Sequence, residues 1–167
     1  MMVNLGRRTR RRSNKSRYAM KSIAEFLSRD RVVFLTSTTK EAALNTLVDT
    51  IAAVEDTEKL RKAIFDREWI LSTGIGLGIA VPHAKISSIK QFVVAVGVAH
   101  HGIEFNSLDG QPVKIVVMIA GPDRQHEQYL RILARTTLLL KSAMNRQAIL
   151  GAKTEDDVYR LFTERSA

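Results

Sequence analysis

The stretch from Arg67 to His83 gathers the residue types of a phosphate site: Arg67, then Ser72 and Thr73, then Gly74, Gly76 and Gly78, and finally His83. Alternating glycines let a backbone turn tightly and present N–H groups to an anion where a Cβ would intrude. Ser72 and Thr73 add hydroxyl donors at the same turn. A neutral imidazole is nucleophilic near pH 7 and its phosphorylated form is a good leaving group, so His83 has the chemistry of transient phosphoryl transfer. Arg67 complements it, because a guanidinium meets phosphate oxygens with a planar fork and keeps its charge throughout. This chemistry calls for no metal and no cofactor. Taken singly, each residue has a plainer reading: a histidine in an apolar context is as a rule a satisfied core residue, and Arg67 a solvated cation at a helix end.

Positioning these groups together requires particular elements. Ile79 to Pro82 read as a short buried strand that ends where Pro82 breaks the hydrogen-bond ladder, leaving His83 at a strand end beside the loop. Asp56 or Thr57 can cap a helix in which Leu60 and Ile64 line one face and Arg67 falls in the last turn. Upstream, Ile23 to Leu27 suggest a helical turn and Arg31 to Leu35 a strand. Thr38-Thr39-Lys40-Glu41 fits a capping box before a helix with Leu44, Leu47, Val48 and Ile51 at helical spacing. Downstream, Phe92 to Ala99 and Val113 to Ala120 are valine- and isoleucine-rich runs of strand length, with Leu108-Asp109-Gly110 as a turn between them. Helices return after Pro122-Asp123, with Leu130, Leu133, Thr137 and Leu140 on one face, and from Thr154, with Val158, Leu161 and Phe162 inward. Apolar strands interleaved with amphipathic helices predict an α/β fold, its sheet covered on both sides.

Arg67-Glu68, Ser72-Thr73-Gly74, the alternating glycines and Ala80-Val81-Pro82-His83, in this order, resemble the active-site signature of type 2 enzyme IIA domains. These belong to the bacterial phosphoenolpyruvate-dependent phosphotransferase system, in its fructose/mannitol and nitrogen-regulatory branches. The resemblance runs from about Met20 to the C-terminus and includes Gly102-Ile103-Glu104-Phe105, Leu108 to Val113 and Tyr129-Leu130-Arg131-Ile132-Leu133. It implies a three-layer α/β/α sandwich with a mixed sheet, and phosphorylation of His83 by HPr or a paralogue, with Arg67 facing the phosphate. An enzyme IIB domain, or a regulated kinase, transporter or transcription factor, would then receive or sense the phosphoryl group. One position departs from the family pattern: where members commonly carry a second histidine before a leucine, this chain has Tyr129 before Leu130. A tyrosine donates a hydrogen bond but is no cation near pH 7. His126, three residues earlier, falls on nearly the same helix face and is a candidate substitute, or else a solvated first-turn residue.

The 167 residues, 45% hydrophobic, suit one domain with a proper core plus a tail. The net charge of +9 is concentrated: residues 1–19 hold seven Arg or Lys and no acid, leaving +2 for the rest. The expected division is a basic, disordered extension over 1–19 and the phosphotransferase domain over 20–167, with Met20 as an alternative natural start. A polyanion binder acting through this tail, with the His83 site degenerate, is a rival reading, as is a regulatory module whose docking is controlled by phosphorylation. No specific nucleic-acid partner is expected. The absence of cysteine and of a long apolar run fits a cytoplasmic protein without membrane insertion.

Two other motifs fail. The glycines lack the third position of a dinucleotide fingerprint, which is Ile79, and no Gly-Lys-Ser/Thr phosphate loop occurs. His100-His101 is read as marking a strand end and its turn, since neighbours on a strand face opposite ways and no Cys or carboxylate cluster joins them. Trp69 is open between a packing anchor and part of a protein-docking rim.

Overall fold

In chain order, the computed structural model describes residues 22–51 and 56–165. A short 3-10 helix, Ile23–Glu25, leads into β1 (Leu27–Phe34), then α1 (Lys40–Thr50) and α2 (Thr57–Ile70). Three short strands follow, β2 (Gly74–Gly76), β3 (Ile79–Ala80) and β4 (His83–Lys85), then two long ones, β5 (Val93–Ile103) and β6 (Val113–Gly121). The chain ends in α3 (His126–Lys141), α4 (Ala143–Gly151) and α5 (Glu155–Arg165). The basic leader expected over residues 1–19 lies outside the described residues.

Strand alternation builds the layers. On β5 and β6, Val94, Val96, Val98, Ile115, Val117 and Ile119 bury against Ile132, Leu139, Ile149, Val158 and Phe162 of the three C-terminal helices. Their neighbours Ala95, Ala99, Val116, Met118 and Ala120 bury against Leu44, Leu47, Val48, Leu60 and Ile64 of α1 and α2. Successive side chains thus serve opposite layers, which is why both strands read as unbroken apolar runs. The result is a mixed sheet with helices on both faces, ordered β1-β5-β6-β3-β2, with β4 also on β6. Each fully buried leucine or isoleucine contributes on the order of 1.5–3 kcal/mol to this core.

Helix ends follow local chemistry. Thr39 Oγ1 accepts from the Ala42 amide at 3.2 Å, so Thr39 rather than Thr38 starts α1. Asp56 stands at the start of α2 with no side-chain cap bond and pairs with Lys59 instead. Thr154 and Asp157 cap α5 reciprocally, each side chain accepting from the other's amide.

Three expectations need correction. The buried face of α3 is Tyr129, Ile132, Thr136, Leu139 and Leu140, one residue round from the expected stripe, and Leu130 is exposed. Tyr129 wins the inward position because its ring packs on the sheet at His83. β5 continues through His100 and His101 to Ile103 instead of ending at them. The two rings bond to opposite layers, His100 Nε2 to the Leu150 carbonyl and His101 Nε2 to that of Ser37. Finally, Ser142 breaks the helical run with an extended backbone and caps the separate helix α4, which the periodicity of leucines concealed.

Candidate active site

Pro82 interrupts the strand beside β6 without ending it. Ile79 and Ala80 pair in parallel with Ile115 and Val116 of β6, and His83, Ala84 and Lys85 resume the same register with Ile119, Ala120 and Gly121. The Pro82 carbonyl still accepts from the Ile119 amide at 2.9 Å. His83 therefore opens a second strand segment, where a strand terminus was expected. The proline removes one donor, and the ladder is rebuilt immediately beyond it.

Both ring nitrogens of His83 have partners. Nδ1 lies 2.9 Å from the Val81 carbonyl oxygen and Nε2 3.1 Å from Arg67 Nε. A carbonyl only accepts and a guanidinium only donates, so the proton sits on Nδ1 and the lone pair on Nε2. Burial pushes the His83 imidazole below its ordinary pKa, against the Val81 carbonyl, which favours the cation; the positive charges of Arg67 and Lys85 also lower it, and Glu68 opposes them. The ring is thus neutral at pH 7. Arg67, in the last turn of α2, is held there by its own bond to the Leu71 carbonyl at 2.8 Å.

Glu68, the next residue, is a positioning group that sequence reasoning passed over. It is buried, and its carboxylate accepts from the Thr73 amide at 3.1 Å and from Thr73 Oγ1 at 2.5 Å, and pairs with Lys40 Nζ at 2.6 Å. Lys40 Nζ also donates to the Phe105 carbonyl at 3.0 Å, and Ser72 Oγ to the same carbonyl at 2.6 Å. Thr73 in turn accepts from the Val81 amide. The only sequence signal was Glu68 beside Arg67 in the motif, and its partner Lys40 lies far away along the chain.

The glycine segment is a hairpin rather than an open cradle. β2 and β3 pair antiparallel, and the turn between them puts Gly76 at φ +91°, Leu77 at +59° and Gly78 at +73°, conformations that explain two of the glycines. Gly74 is needed for space, since a Cβ there would collide with Ser107. The donors expected to face phosphate already have protein acceptors: Thr73 on Glu68, Ser72 on Phe105, the Gly74 amide on Ser72 Oγ and the Leu77 amide on Asp109. The structure brings Arg67 and His83 together and uses Ser72, Thr73, Gly74, Gly76 and Gly78 to shape the chain between them.

Tyr129 packs beside His83, ring centroids 5.4 Å apart at 46°. Burial raises its phenol pKa, so the hydroxyl remains protonated. His126 does not bond to His83; its Nδ1 accepts from Lys85 Nζ at 2.9 Å. Trp69 (76% exposed), Ile70 and Leu71, which follow Arg67 in the chain, are open to solvent, as are Leu77 and Leu108, so Trp69 is not part of the core. Among the described residues no group of His, Cys, Asp or Glu is arranged to hold a metal ion.

Residues 25–165 match the family model of the phosphoenolpyruvate-dependent sugar phosphotransferase system, EIIA 2. The chain belongs to this family. As an EIIA domain of type 2, it is a phosphocarrier component of that system. It is 36% identical over 119 residues to the fructose-specific EIIABC component of Bacillus subtilis, covering 71% of this chain but only 19% of that longer protein. It is 32% identical to the fructose-specific EIIA component of Haloferax volcanii, over 75% of this chain and 84% of the relative. A nitrogen regulatory protein of Pseudomonas aeruginosa is 28% identical, over 65% and 71% of the two chains. The fold of this EIIA domain matches the nitrogen regulatory protein IIA-Ntr of Neisseria meningitidis, with a TM-score of 0.79 at 20% identity over 84% of this chain and 98% of the other. It also matches the Escherichia coli mannitol enzyme IIA in a complex with phosphorylated enzyme IIB, with a TM-score of 0.69 at 20% identity, covering 82% and 96%. Among the described residues no helix is long and apolar enough to cross a membrane.

Proposed function

We propose that His83 is the phosphoryl acceptor of this EIIA domain, charged through Nε2 by an HPr-like phosphocarrier in the cytoplasm. The observation that carries the reading is the pair of bonds on the imidazole: the Val81 carbonyl accepts from Nδ1–H, and Arg67 donates to the Nε2 lone pair. Catalysis is mostly placement. Two imidazoles approach phosphorus in line, the proton stays on Nδ1, and Arg67 balances charge on the transferring oxygens. The exposed apolar side chains of Trp69, Ile70 and Leu71, just beyond Arg67, provide a surface for the donor and then the acceptor.

The acceptor is an EIIB-type domain in sugar uptake, a reading supported by the fructose-specific relatives. The nitrogen regulatory relatives support a second use, in which phosphorylation of His83 changes docking on a regulated kinase, transporter or transcription factor. The test is incubation with phosphoenolpyruvate, enzyme I and HPr, followed by mapping of acid-labile phosphate. Label on His83 that is lost in His83→Ala but kept in His126→Ala is the expected result. Label that persists in His83→Ala overturns the assignment. Discharge of the labelled protein by an EIIB domain separates the transport use from the regulatory one.

A further inference from the structure

Lys85 follows His83 by two residues on β4, so both side chains leave the same face of the strand. Its Nζ lies 5.1 Å from the centroid of the Tyr129 ring, which itself lies 5.4 Å from the His83 ring. The same Nζ donates to His126 Nδ1 at the first residue of α3. Tyr129 thus touches both the imidazole and the ammonium, while His126 holds the ammonium from the helix. Neither Tyr129 nor a His126 that accepts through Nδ1 supplies a fixed positive charge beside His83. Lys85 does.

We propose that Lys85 is a second phosphate-binding cation of this site, acting with Arg67 on the phosphoryl group carried by His83. The inference rests on His83 being the acceptor. In the transfer, the donor's P–N bond breaks as the P–Nε2 bond forms, and the electron pair of the broken bond returns to the donor imidazole. The proton stays on Nδ1, still donated to the Val81 carbonyl. No other proton or co-reactant is needed. The negative charge on the phosphoryl oxygens then faces a guanidinium and an ammonium. An ammonium has three donors, so Lys85 can keep its bond to His126 and still reach an oxygen. The aromatic face of Tyr129 steadies the cation through its ring charge distribution, a role a phenol fills without ionising.

The experiment compares wild type, Lys85→Gln and Lys85→Arg in two measurements: the initial rate of His83 labelling from phosphoenolpyruvate through enzyme I and HPr, and a phosphorus NMR titration of the phosphorylated protein. Lys85→Gln is expected to slow labelling on the order of tenfold, less than a fully buried donor because water screens this rim. It should also raise the pH at which the phosphoryl group takes up a proton, because the dianion has lost a neighbouring cation. Lys85→Arg should restore most of the rate. A Lys85→Gln protein that labels at the wild-type rate, or labels slowly with an unmoved titration, overturns the proposal. A wild-type protein that takes no label on His83 overturns the acceptor assignment beneath it, an outcome distinct from either.

Discussion

The two flanks of His83 are built differently. On one, Arg67 at the end of α2 stands beside a largely buried web of bonds: Glu68 to Thr73 and Lys40, Lys40 and Ser72 to the Phe105 carbonyl, Thr73 to Val81. On the other, Tyr129 and Lys85 meet through ring contacts, with one exposed bond from Lys85 to His126. The first flank fixes geometry, with little freedom left to the side chains. The second is more open at its Lys85–His126 bond, and it carries Tyr129 where the family resemblance leads one to expect a second histidine. A carrier that meets donor and acceptor in turn can keep its nucleophile rigid and leave adaptation to the looser side.

The largest effect should come from breaking the braced flank. Glu68→Ala leaves the Lys40 ammonium and the Thr73 donors buried without their partner, and should cost about 3–5 kcal/mol of stability, measured by urea unfolding. A loss below about 1 kcal/mol would mean that the web is not what holds α2 to the hairpin. Arg67→Ala sharpens the contrast, because among the described residues Arg67 bonds to His83 and the Leu71 carbonyl and takes no part in the Glu68 web. It should slow phosphoryl transfer on the order of 100- to 1,000-fold with little change in the unfolding midpoint. Unfolding instead of slowing would make Arg67 a structural cation.

The smallest effect concerns acidity. Burial, with Arg67 and Lys85, lowers the folded-state pKa of His83 below its unfolded value. The unfolded chain therefore binds the proton first as pH falls. This part of the stability is fully present above the unfolded value, about 6.5. It is lost progressively as the pH drops from there through the folded pKa. His83→Gln should flatten that segment of the stability–pH curve, and an unchanged curve would show that the imidazole is not held neutral by its surroundings.

Much of this was legible in the sequence where one residue type has one common use. Leu44, Leu47, Val48 and Ile51 faced inward at helical spacing, and the two apolar runs became the central strands. Pairing between distant residues was not legible. Nothing local says that Lys40 meets Glu68, or that the Ser72 and Thr73 donors find partners within the protein. On α3, leucines crowd two adjacent faces, and only the presence of His83 on the sheet selects Tyr129 and Ile132 over Leu130. The glycines signalled a tight turn correctly, but the same spacing serves a hairpin as well as an anion cradle.

The central claim is that Nε2 of His83, left unprotonated by the Val81 and Arg67 bonds, takes the phosphoryl group. Nitrogen-resolved NMR of the protein phosphorylated by HPr tests it most directly. The account predicts phosphorus on Nε2 of His83 with the proton retained on Nδ1; phosphorus on Nδ1, or on His126, would contradict it.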